Sequence, residues 1–177
     1  MTEPSTSRRT VLIVRHAKAE STAARDRDRR LTERGRSDAW AAGAAAAVAL
    51  VGVSETVVAL VSPAARAYET WQQVAAQLPG GVHERVVGEL YEAGVSDVVE
   101  LLRGLPAHVA AAIVVGHNPT MHATVHTLAD GGDDSALQRL GDRGFPTASV
   151  AVLTSDRPWS DMVIDCCRLS SFTVGRG

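Results

Sequence analysis

Four short segments carry side chains able to handle protons or anions, and each follows an apolar run. Arg15 and His16 end the run in "TVLIVRHAKAE", residues 10–20. Arg66 lies in "SPAAR", Glu89 and Glu92 in "ELYEAG", and His117 and Asn118 in "GHNP". Two arginines and two histidines gathered at one place suit an anion. Phosphate fits best, because a guanidinium fork matches its oxygens with paired hydrogen bonds. A carboxylate beside such an anion repels it, so its presence there points to proton transfer.

The elements that bring these residues together follow from the hydrophobic pattern. Residues 10–15 form a short continuous apolar run of the kind found in buried parallel strands. Further strands are expected at 55–63, 84–90 and 111–116, and two late ones at "TASVAVLTS" (147–155) and "DMVIDCCRLSS" (161–171). Helices are expected over 33–51 with Thr32 as cap, over 64–78, over 96–105 with Ser96 as cap, and over 119–129 with Pro119 in the first turn. The stretch "ADGGDDSALQRLGDRGF" reads as loop with a short helix, and the alternating charges of "RDRDRR" as a solvated loop. Alternating strands and helices imply an α/β fold, a three-layer α/β/α sandwich with a mainly parallel, mixed central sheet. Ligands of such sheets bind beyond the carboxyl ends of the strands, where all four segments lie. Helix starts near Ala64 and Pro119 add backbone donors for an anion.

Bulk properties narrow the function. A length of 177 residues is that of one domain, expected over 10–177 with a disordered tail at 1–9. A net charge of −2 gives no general attraction to nucleic acid or anionic membrane, so neither is expected as a partner. The "MTEPSTSRRT" start lacks the apolar core of a signal peptide. The Ala-rich run 39–53 is shorter than the ~20 residues a membrane span needs and reads as a buried helix. These features point to the cytoplasm. Cys166 and Cys167, adjacent on an expected strand, should face opposite ways as packing residues, giving neither a disulfide framework nor a metal site. His122 and His126 have the i, i+4 spacing of zinc ligands, but the sequence offers no third ligand and no metal is expected. Trp40, Trp71 and Trp159 are expected to be packing residues rather than a stacking platform.

Taken together, "LIVRHAK", "VSPAARAYETW", "ELYEAG" and "VVGHNP", with "FPTASVAVL" as a late strand, resemble the ordered motifs of the histidine phosphatase superfamily, whose fold is phosphoglycerate mutase-like. The absence of a large insertion, the Ala17-Lys18 pair and the "LYEA" wording are similar to its small, SixA-like branch. Ala17 stands where the family usually has glycine, so this turn does not require a positive φ. The resemblance implies a covalent phosphohistidine mechanism without cofactor or metal. His16 would be the nucleophile, Arg15, Arg66 and His117 would hold the phosphoryl oxygens, and Glu92 would exchange protons with leaving group and water. Glu89 and Glu20 stay open as alternatives to Glu92, and Lys18 and Asn118 are candidates for substrate contact. The substrate expected is a phosphorylated protein, with phosphohistidine foremost. A small phosphate ester, acted on by a phosphatase or mutase, is the alternative, and a non-catalytic phospho-ligand module is a third reading.

Overall fold

The computed structural model describes residues 8–53 and 56–176. Among these residues seven strands form one sheet: β1 Arg9–Arg15, β2 Thr56–Val61, β3 Val82–Val86, β4 Val109–Gly116, β5 Ala129–Gly132, β6 Ser149–Ser155 and β7 Cys167–Val174. Their spatial order is β3-β2-β4-β1-β6-β7-β5. β6 is antiparallel to both its neighbours, and every other pairing is parallel. Among the described residues five α-helices cover the sheet: α1 Glu33–Ala49, α2 Ala65–Ala75, α3 Val95–Arg103, α4 Thr120–Leu128 and α5 Asp134–Arg143.

The alternation of side chains along the central strands builds two cores. Leu12 and Val14 of β1 pack with Ala59 and Val61 of β2, Ile113 and Val115 of β4, and α1 and α2. Val11 and Ile13 turn the other way, toward Val98 and Leu102 of α3, Met121 and Val125 of α4, and Leu140 of α5. This is the expected α/β/α sandwich. The continuous apolar character of β1, β2 and β4 follows from burial on both faces.

Local chemistry sets the helix starts. The Thr32 hydroxyl accepts the Gly35 N–H at 2.9 Å, as a capping threonine should. A Cβ at Gly35 would lie 2.0 Å from the Lys18 carbonyl oxygen, so glycine lets α1 press against the loop that leaves β1. α3 starts one residue earlier than expected, at Val95. Gly94 precedes it and the Asp97 carboxylate takes the Gly94 N–H at 2.8 Å, which leaves Ser96 inside the helix. Pro119 sits just before α4 rather than in its first turn.

Several expectations are corrected. The third strand lies at Val82–Val86, and residues 88–91 form a 3-10 turn instead. β3 is an outer strand with four of its five residues exposed, so its apolar pattern carries little register information. The "ADGG" segment is an edge strand, and α5 is a full helix with the Asp133 carboxylate capping Ala136 N–H at 2.9 Å. Gly132 there has φ 156°, with space so tight that a Cβ would lie 2.1 Å from the Leu169 carbonyl oxygen. The last strand begins only at Cys167, because Asp165 at φ 56° turns the chain just before it. Trp71 and Trp159 are buried as expected, but Trp40 is half exposed. Of the tail expected at 1–9, residues 1–7 lie outside the described residues. Arg9 belongs to β1 and is buried, donating to the carbonyls of Val109 at 3.1 Å and Ala107 at 2.8 Å. Among the described residues no helix is long and apolar enough to cross a membrane.

Candidate active site

β1 and β4 run side by side with Arg15 opposite Gly116, so their ends deliver Arg15-His16 and His117-Asn118 to the same spot. The His16 N–H donates to the Gly116 carbonyl at 3.0 Å, which carries the pairing one residue past the strand. The His16 ring is buried, and its Nδ1–H donates to the Ala17 carbonyl at 2.7 Å. A carbonyl can only accept, so the proton is fixed on Nδ1 and the Nε2 lone pair is left free. The turn itself is held from two sides. The Ala17 N–H donates to the Thr70 hydroxyl at 2.9 Å, and that hydroxyl donates to the Arg66 carbonyl at 2.6 Å. The Ala148 N–H donates to the His16 carbonyl at 3.2 Å. As the sequence required, Ala17 is not among the residues with positive φ.

His117 faces His16 with ring centres 5.2 Å apart. Its Nε2 is hydrogen-bonded to the Ser62 hydroxyl at 2.8 Å, while its Nδ1 is buried with no partner. Arg15 Nη1 and Asn118 Nδ2 both donate to the Phe145 carbonyl, at 2.9 and 2.8 Å. That leaves Arg15 Nε and Asn118 Oδ1 buried without partners. Unsatisfied buried polar atoms are costly, and here three of them cluster at the sheet's carboxyl rim.

Arg66 lies on the first turn of α2 and is buried, with its fork engaged by one residue. Nη1 donates to the Asp26 carbonyl at 2.8 Å and Nη2 to the Asp26 carboxylate at 2.9 Å. A cation at a helix start is unfavourable unless an anion accompanies it, and Asp26 is that anion. The Tyr91 hydroxyl donates to the same carboxylate at 2.8 Å, and Arg29 reaches its other oxygen at 2.9 Å. Tyr91 also stands edge-on to His117, with ring centres 5.8 Å apart.

These surroundings fix the protonation states. Burial, assisted by His117, Arg66 and Arg15, pushes the His16 pKa down to about 3 despite its carbonyl partner. Burial and then Arg66 push His117 down to about 4. The Tyr91 hydroxyl bond, with Arg66 and Arg29, holds the Asp26 carboxyl below its ordinary value, and that same bond raises Tyr91. Burial lowers Arg15. Two neutral imidazoles therefore sit among fixed guanidinium charges.

The structure thus brings together Arg15, His16, Arg66, His117 and Asn118. Glu92 and Glu89 are exposed, on the segment that carries Tyr91. Glu20 and Lys18 are exposed on the loop after β1, where the Lys18 carbonyl accepts the Thr32 N–H at 3.0 Å and its hydroxyl at 3.2 Å. Sequence reasoning missed Ser62, Thr70, Tyr91 and above all Asp26, which it placed in a solvated charge run. Ser62 had a usable signal, being a small polar residue at the buried end of β2. His122 and His126 bond to each other through Nε2 at 3.0 Å, and His122 stacks on Phe145. Among the described residues no group of three or more His, Cys, Asp or Glu side chains is placed to hold a metal.

A profile of the histidine phosphatase superfamily (branch 1) matches residues 11–98. The solved structure of a putative phosphohistidine phosphatase SixA from Nakamurella multipartitia is 31% identical, with TM-score 0.77, covering 95% of this chain and 96% of that one. A protein histidine phosphatase SixA complexed with tungstate is 25% identical, with TM-score 0.71 and coverage of 94% and 97%. An uncharacterised protein of Mycobacterium tuberculosis is 34% identical over 166 residues, 92% of this chain and 100% of its own length.

Proposed function

The chain belongs to the histidine phosphatase superfamily, with SixA-like relatives, and on that premise we propose that it hydrolyses phosphorylated substrates through a phosphohistidine at His16. One observation carries this reading: the His16 Nδ1 proton is tied to the Ala17 carbonyl while Nε2 stays free among Arg15, Arg66 and His117. In the first displacement, Nε2 forms a bond to phosphorus as the bond to the leaving group breaks. In the second, a water oxygen bonds to phosphorus and Nε2 leaves, releasing inorganic phosphate. Glu92, swinging in from the rim, gives a proton to the leaving group and takes one from the water.

Charge stabilisation needs donors in place before the reaction. Arg15 Nε and the free N–H groups of Arg66 supply cationic donors. If the Ser62 hydroxyl donates to His117 Nε2, then His117 carries its proton on Nδ1, the nitrogen without a partner, and can give it to a phosphoryl oxygen. Asn118 and Lys18 would contact substrate, Asn118 from beside Arg15 and Lys18 from the exposed rim. No step in this scheme requires a metal. Tungstate, with which a SixA relative is complexed, is an oxyanion of phosphate-like shape, which supports an oxyanion as the ligand here.

We favour a protein-borne phosphohistidine in the cytoplasm as substrate. The rim segment between β3 and α3, residues 87–94, is short and leaves little room for a lid on that side, which suits a bulky phosphoprotein. The test uses phosphorylated substrate carrying labelled phosphorus. Acid-labile label should attach to the protein and vanish in His16→Ala, together with phosphate release. Equal labelling of the variant rejects His16 as nucleophile, and turnover confined to small esters rejects the protein substrate.

A further inference from the structure

At the opposite end of the sheet, before β7, the chain gathers three sulfur atoms. Cys166 Sγ lies 3.5 Å from Cys167 Sγ and 3.6 Å from Met162 Sδ. Adjacent residues of a strand would point apart, but Cys166 precedes the strand, and the positive φ of Asp165 rotates it so that both thiols share one side. Both cysteines are free. The expectation that they face opposite ways is therefore corrected, and with it the ground for excluding them as joint ligands.

We propose that Met162, Cys166 and Cys167 form a three-sulfur site for a soft monovalent metal ion, Cu(I). Thiolate and thioether ligands together select this ion, whereas zinc favours four ligands with nitrogen, oxygen or thiolate donors. With metal–sulfur bonds of about 2.3 Å, an ion held in the plane of three sulfurs keeps neighbouring sulfurs about 4 Å apart, close to the 3.5 and 3.6 Å that separate Cys166 Sγ from the other two. Met162 is fully buried and Cys167 nearly so, which excludes water and competing hard ions. Cys166 is half-buried and gives the path of entry.

The surroundings keep the sulfurs in place. The Val163 N–H donates to Cys166 Sγ at 3.4 Å, and the Ser155 hydroxyl donates to the Cys166 carbonyl at 2.7 Å. An N–H aimed at a sulfur stabilises it as a thiolate ligand. Binding releases the two thiol protons to solvent and leaves a site of net charge −1, with no change in oxidation state of metal or sulfur. β7 runs parallel to β1, so this site is remote from the carboxyl rim and independent of the phosphatase reading.

The test is anaerobic titration of the reduced full chain with Cu(I) against bathocuproine disulfonate. One Cu(I) per chain should leave the chelator, with a new ultraviolet thiolate-to-metal absorption. Cys166→Ser should abolish retention, and Met162→Leu, which conserves volume, should weaken it by about tenfold or more. Circular dichroism melting shows that each variant is folded. Failure of the parent chain to retain Cu(I), or retention unchanged in Cys166→Ser, overturns the site. Unchanged affinity in folded Met162→Leu overturns the three-sulfur arrangement.

Discussion

His16 is suited to attack phosphorus by what its other nitrogen does. A histidine with both nitrogens exposed divides its proton between two tautomers and titrates near neutrality. Here the Ala17 carbonyl chooses the tautomer, and burial keeps the ring neutral. Arg66 presents the complementary problem of a long cation that must point at one place. Asp26 takes two of its donors, which limits how the fork can turn. Asp26→Asn keeps the backbone contact and removes the charge that anchors the fork. Its kcat/KM should fall by about tenfold or more, since small misplacements of a positioned group carry costs of that order. The Tyr91 hydroxyl, raised by Asp26, should then titrate closer to its ordinary value, a change that mere loss of stability would not produce. Unchanged kcat/KM would exclude Asp26 as the positioning residue. The sequence shows why this residue is hard to read. Arg15, His16, Arg66 and His117 each announce themselves by following an apolar run, whereas Asp26 sits in an alternating charge run where Arg25 and Arg29 pair locally, and its functional partner lies 40 positions away.

At the scale of elements, the site depends on how β1 is fastened to α2. A single hydroxyl, that of Thr70, joins them by accepting from Ala17 and donating to the Arg66 carbonyl. The proposed nucleophile and the arginine proposed to hold phosphate are thus coupled through one buried side chain. Thr70→Val is nearly isosteric and leaves the Ala17 N–H without its acceptor. It should destabilise the fold by about 1–3 kcal/mol, read from the denaturant midpoint. Phosphatase turnover should fall further than that loss of stability explains, because both groups lose their common anchor. A variant with full turnover would show that the turn is held by β4 and Ala148 alone. The central strands and the helices beside them were legible because burial on two faces writes apolar runs and helical spacing into the sequence. The bounds of β3, the presence of β5 and the start of β7 were not. β3 and β5 are edge strands with exposed or glycine-rich sequences, and the start of β7 is displaced by one residue with positive φ.

For the whole molecule, placing the site at the carboxyl rim joins function to stability. The rim is dry enough to keep two histidines neutral, with pKa values near 3 for His16 and near 4 for His117. In the unfolded chain both titrate near the ordinary 6.5. Between these limits the unfolded state binds more protons than the folded one. Stability therefore rises with pH through that window, is complete above about pH 6.5, and is lost as pH falls toward 4 and then 3. Each such proton contributes a slope of up to about 1.4 kcal/mol per pH unit. Asp26, held below its ordinary value, adds to the same trend only at lower pH. Denaturant unfolding at pH 7 and pH 5 should accordingly show a clear loss at pH 5. His117→Gln, which cannot take up a proton in either state, should show a smaller loss over the same interval even if it is less stable at pH 7. A slope that His117→Gln leaves unchanged would mean that His117 is solvated in the folded protein, and the dry, preorganised rim would be the wrong description of this site.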